Sequence, residues 1–144
     1  MEEVTRGSAL AELYTASAGP LTSFMTAVFL YLISISIYLP EIIYIILIYL
    51  AIANFILFLF NIIPAFPLDG GHILRALIWK MTGDFKKSTD ISMKLSRFIA
   101  LLFIITGAYL FFNNGVGEGL IFIFIGWFSM RAYLNNSPAV SNAQ

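Results

Sequence analysis

The sequence predicts an all-α fold: an integral membrane bundle of about four transmembrane helices, with a broken-helix Pro/Gly turn after the second. Three observations carry that reading. Hydrophobic residues fill 60% of the 144 positions and charged residues only 11%, against about 25% charged in a soluble domain, whose surface must face water. Charge-free runs recur at the length needed to cross a bilayer, about 20 residues. Once four spans are drawn, all eight Lys and Arg residues fall on one side, the asymmetry that marks cytoplasmic segments.

The elements follow in order. The first span, near 21–39, ends at Pro40-Glu41. Gly19-Pro20 precedes it, with the proline expected in the first turn, where its missing N–H costs least. The second span, near 42–63, is dense in Ile, Leu and Phe. The third, near 98–117, lies between Arg97 and Glu118. The fourth, near 119–134, is the shortest, and Arg131 is expected to snorkel to the headgroups. Between spans two and three, Gly71 to Met81 reads as a short helix at the membrane edge and Gly83-Asp84 as a turn. Thr89-Asp90 reads as the cap of a helix leading into span three. Residues 1–134 then form one membrane-embedded domain and 135–144 a polar tail. Glu2, Glu3, Arg6 and Glu12 are scattered along the N-terminal stretch with no apolar core after a basic start, unlike a secretory signal peptide.

Composition also excludes functions. A formal net charge of zero gives nucleic acid no electrostatic footing, so none is expected as a partner. With no cysteine in the chain, disulfides, thiolate zinc sites and thiol nucleophiles are ruled out. The expected surroundings are the lipid bilayer.

One segment carries chemistry: Asn61-Ile62-Ile63-Pro64-Ala65-Phe66-Pro67-Leu68-Asp69-Gly70-Gly71-His72. Two prolines remove backbone donors and end the helix, and Gly70-Gly71 is expected to adopt backbone conformations closed to other residues. Irregular backbone near membrane depth is tolerated when buried in protein or lining a watery cavity. Asp69 within such a break is a functional candidate in need of a cation or a hydrogen-bond partner. The alternative is a plain surface turn, with Asp69 capping the helix that follows. Asn61 likewise either serves a site or simply bonds a neighbouring helix. His72, beside a helix start, is more often a surface or capping residue than a metal ligand.

The Asn61, Pro64, Pro67, Asp69, Gly70 pattern, with Ile73-Leu74-Arg75-Ala76-Leu77 after it, resembles the second signature of the site-2 protease family. Ser17-Ala18-Gly19-Pro20-Leu21-Thr22-Ser23-Phe24 resembles the family's Ala-Gly-Pro-Leu segment. Thr82-Gly83-Asp84 and Ile125-Gly126-Trp127-Phe128 are similar to its archaeal and bacterial branch. The resemblance implies an intramembrane zinc metalloendopeptidase that cleaves transmembrane helices of substrate proteins. It also implies one zinc ion held by two His of an H-E-x-x-H helix and by one Asp, with the Glu of that helix as general base. On that mapping Asp69 is the metal ligand. Asn61, Pro64 and Pro67 line the substrate cleft, and Gly70 and Gly71 shape the turn.

The sequence departs from the family at the metal. His72 is the one histidine, many relatives carry Arg at its position, and no H-E-x-x-H is present. Catalytic zinc takes three protein ligands and an open position. The chain therefore reads as a family member without its zinc helix and first spans, truncated or split, with no catalytic residue of its own. It is expected to be inactive unless a separate chain bearing the zinc-binding helix joins it. Two other classes stay open: a non-catalytic homologue that binds membrane helices as regulator or adaptor, and a small transporter or ion-binding subunit using Asp69. The termini and Asp69 are expected on the cytoplasmic side.

Overall fold

The structure is a computed structural model that describes residues 8–113 and 116–136. The expectations for residues 1–7, for residues 114–115 of the third span and for the tail from 137 onward lie outside the described residues. Among them the chain forms five helices: α1 (Ala9–Ser36), α2 (Glu41–Asn61), α3 (Asp69–Thr82), α4 (Phe85–Asn113) and α5 (Val116–Asn136). Helices α1, α2 and α4 are long and apolar enough to cross a membrane, and Gly119–Arg131 of α5 is a shorter apolar stretch. The protein is an integral membrane protein.

Two helical hairpins, α1–α2 and α4–α5, are joined through α3, which packs on both α1 and α4. The interior is small and the exterior large, the reverse of a soluble domain. Ala16, Ala27, Ala51, Ala76 and Ala100 are buried, and the largest side chains wholly shielded are Ser88, Ser92 and Ser96. Ile, Phe and Tyr side chains point outward along α1 and α2. Lipid is as apolar as leucine, so helices here gain by close approach over small residues rather than by hiding large ones. Helix α2, with Ala51 as its one buried residue, shows this most plainly.

Glycine sets the α4–α5 contact. A Cβ on Gly107 would lie 2.7 Å from the Ile123 amide nitrogen, and one on Gly126 would lie 2.8 Å from the Ala100 carbonyl oxygen. Backbone of the facing helix lies against both points beside Ile123 and Ile104 side chains, so moving a side chain alone does not make room.

Several boundaries differ from the sequence reading. Helix α1 starts at Ala9, where the Ser8 hydroxyl accepts from the Ala11 amide at 3.1 Å, so Pro20 lies well inside the helix instead of in its first turn. The helix continues because the tract before Pro20 is rich in Ala and Leu, and one lost hydrogen bond does not outweigh it. Val116 and Gly117 belong to α5, not to the end of the third span. Thr89-Asp90 does not begin a helix. Asp84 caps α4 instead, its Oδ1 accepting from the Lys87 amide at 2.9 Å and its carbonyl from the Ser88 amide at 3.1 Å. Gly83 closes α3 with φ of 69°, a left-handed turn that glycine adopts without strain.

Gly107→Ala is expected to lower bundle stability by about 1–3 kcal/mol through overpacking. Gly117→Ala, where an added Cβ meets nothing within 4 Å, is expected to be neutral or slightly stabilising. Unfolding of both variants in mixed detergent micelles measures the difference.

Candidate functional site

The chain leaves the helical path between Asn61, the last residue of α2, and Asp69, the first of α3. Pro64 and Pro67 bring no amide hydrogen, and every other residue from Ile62 to Leu68 finds an acceptor. Ile62 and Ile63 donate to the Phe58 and Phe60 carbonyls, Ala65 to that of Ile63, and Leu68 to that of Ala65. The Phe66 amide donates to Ser96 Oγ on α4 at 2.9 Å, out of reach of solvent. The Ser96 hydroxyl in turn donates to the Ser92 carbonyl at 2.8 Å. The Phe66–Pro67 peptide is cis, and Phe66 is buried beside Ala65.

Gly70 and Gly71 serve by their size, not by unusual dihedrals, which corrects the sequence reading. Among the described residues only Gly83 has positive φ. A Cβ at Gly70 would collide with the Ile62 and Ile63 carbonyl oxygens, and one at Gly71 would lie 2.8 Å from the Phe66 amide nitrogen. The first turn of α3 thus rests directly on the backbone of the break.

Asp69 is partly exposed in that first turn. The N-cap position is Leu68, and no side chain caps the helix, so the capping role weighed for Asp69 is not the one it adopts. Its carboxylate projects toward α1 and fills the space left by the absent side chain of Gly19, where a Cβ would overlap Oδ2 and lie 3.4 Å from Cγ. No hydrogen bond or ion pair engages this carboxylate among the described residues. Asn61, also half-buried, has no side-chain hydrogen bond among them either.

His72 faces a different group. Its Nδ1 lies 3.4 Å from Glu12 Oε1 and 3.3 Å from an Arg75 nitrogen; by tautomer it either donates to the first or accepts from the second. Its ring meets Phe66 edge-on, centroids 4.7 Å apart. A cavity of about 230 Å³ lies behind the break, lined by Phe66, Pro67, His72, Arg75, Thr89 and Met93. Among the described residues no three His, Asp or Glu side chains gather to hold a metal ion. The residues present therefore fit one part of a metal site, a single uncommitted carboxylate, and not a complete one. The sequence reading missed Gly19 as the neighbour of Asp69, and missed Ser96, Glu12 and Arg75. Only the spacing of Ser88, Ser92, Ser96 and Ala100 along one helix face hinted at a packed seam.

Comparison with known proteins bears on the fold and the family. The site-2 protease from Methanocaldococcus jannaschii superposes with a TM-score of 0.66 at 31% identity, over 95% of this chain and 58% of that one. Residues 38–104, which hold α2, the break and α3, match peptidase family M50. This chain belongs to the site-2 protease family. The family's zinc metalloprotease MJ0392 of Methanocaldococcus jannaschii is 40% identical over 96 residues, 67% of this chain and 28% of that protein. Rip3 of Mycobacterium tuberculosis is 34% identical over 132 residues, 90% of this chain and 34% of that protein. The chain thus spans about a third of the length of the curated relatives it matches. Zinc is the metal in the names of such relatives.

Ser96→Ala is expected to destabilise the break by about 1–3 kcal/mol, because the buried Phe66 amide loses its acceptor. Faster hydrogen exchange at Phe66, with α5 amides unchanged, is the measurement that reports it.

Proposed function

We propose that this chain supplies the carboxylate ligand and the substrate cleft of an intramembrane zinc endopeptidase acting on transmembrane helices of other proteins. The single observation that supports this reading is the Asp69 carboxylate, without a partner among the described residues and held at the start of a helix beside a broken segment. Bound zinc would lower the pKa of its water toward about 7 and polarise the scissile carbonyl.

The roles of this chain's residues follow from their chemistry. Asp69 holds the cation. Asn61, at the mouth of the break, offers an amide to the substrate backbone or to the developing oxyanion. Pro64 and Pro67 keep a stretch of irregular backbone that demands no acceptors, and Gly70 with Gly71 lets α3 sit against it. Two further ligands and the general base belong to an H-E-x-x-H helix that this sequence does not contain, whether on a separate chain or elsewhere in a longer one. Without that helix the chain hydrolyses nothing.

The start of α1, all of α3 and the charged first half of α4 belong on the cytoplasmic side. Supporting that placement are Arg75, Lys80, Lys86, Lys87, Lys94 and Arg97 on α3 and α4, the basic excess expected of cytoplasmic segments. The lone histidine favours a second reading, a non-catalytic homologue that binds membrane helices in the same cleft as regulator or adaptor.

Co-expression with a membrane fragment carrying an H-E-x-x-H helix tests both. The first reading expects cleavage of a transmembrane reporter that falls to background in Asp69→Ala and persists in Lys86→Ala, an exposed lysine. Full activity in Asp69→Ala would remove that residue from the metal. No cleavage with any such fragment, combined with retained reporter binding, would favour the non-catalytic reading.

A further inference from the structure

We propose that Glu12 and Arg75 are positioning residues, an ion pair that fixes the register of α3 on α1 and so holds the Asp69 carboxylate at Gly19; the catalytic sense of this rests on the zinc-ligand reading of Asp69. The geometry is that of a two-point attachment. Gly19 and Glu12 are seven residues apart on α1, about two helical turns, so both face α3. Asp69 meets Gly19 at one end of the contact. At the other, Arg75, six residues along α3, donates from Nε (2.8 Å) and Nη2 to Glu12 Oε1. The two helices therefore run in opposite directions through this contact. Ala16, buried between the two points on α1, keeps the surfaces close.

The pair differs from a surface salt bridge in its setting. The side chains of Arg75 and Glu12 are 20% and 17% exposed, whereas those of Lys94 and Asp90 are 73% and 51% exposed. The Arg75 guanidinium also lies over two rings, Phe66 at 5.4 Å and Phe85 at 5.1 Å. Phe66 comes from the break and Phe85 from the first turn of α4. One cation thus ties α1, the broken segment and α4 to the helix that bears Asp69. A planar, forked guanidinium can bond a carboxylate and stack on rings at once; an ammonium cannot. The site consequently demands arginine and not merely positive charge. The Glu12–Arg75 contact lies about two helical turns along α1 from the point where Asp69 meets Gly19, so its effect on the reaction is exerted through position.

The test uses the native absence of cysteine. Cysteines placed at Tyr14 on α1 and Met81 on α3, which are 73% and 85% exposed, carry spin labels in the full chain in nanodiscs. The parent is expected to give one narrow distance distribution. Glu12→Gln and Arg75→Lys are each expected to shift it or add a second population, while Asp90→Asn leaves it unchanged. Glu12→Gln keeps the shape of the side chain, and Arg75→Lys keeps the charge, so an unfolded result in one leaves the other to decide. In the reconstituted protease, the same two variants are expected to lower kcat by about 10- to 100-fold with KM near the parent value, the size of effect produced by a small misplacement. Unchanged distances in both variants would overturn the proposal, as would altered distances with unaltered kcat. Should Asp69→Ala itself retain activity, the ligand reading fails on its own, and the distances alone decide whether the pair sets the register.

Discussion

A chain that abandons the helix beside a bilayer must find an acceptor for each amide it frees, since lipid offers none. Everything at this site follows from how residues 62–68 meet that demand. Two of the seven are prolines with no amide hydrogen, four close short local turns, and the remaining one, Phe66, reaches across to a serine on α4. Ser96 can serve only if α4 lies close, and α4 lies close because Ser88, Ser92 and Ser96 present small side chains to the interior. Gly70 and Gly71 complete the arrangement by letting α3 settle on the same backbone. The break is therefore a packed unit rather than a loop, and Asp69 is its last step.

The sequence made the membrane character and the Asn61-to-Gly71 segment legible, because both are local signals: runs without charge, and prolines at fixed spacing. The helix between residues 69 and 82 was visible for the same reason. What stayed hidden depends on long-range contact. Ser96 is 30 residues from Phe66, and Glu12 is 63 residues from Arg75; no periodicity in one segment announces a partner in another. Gly19 was seen as punctuation before a span, yet its use is to leave room for a carboxylate from a different helix. Gly70 and Gly71 were singled out for the wrong physical reason, dihedral freedom in place of close approach. Pro20 misled because a proline near the start of an apolar run looks like a first turn, while the helix had already begun at Ala9.

The arrangement also explains how a chain with so small an interior holds its shape. Hydrophobic burial cannot supply much when Ile and Phe face lipid, so cohesion falls to backbone contact at Gly107, Gly119 and Gly126. The small-residue seam of α4, the Ser96 acceptor for Phe66 and the Arg75 guanidinium shared among three segments do the rest. These interactions are short-ranged and directional. They tolerate little change at the small residues and much change at the large ones.

Asp69 is placed by contacts inside this chain: the seated first turn of α3 and the close approach of its carboxylate to Gly19. If Asp69 coordinates a metal as proposed, a carboxylate placed in this way gives up less motional freedom on binding than a free one. On the proposed reading, one ligand of a coordination sphere is set in place by helix packing within this chain.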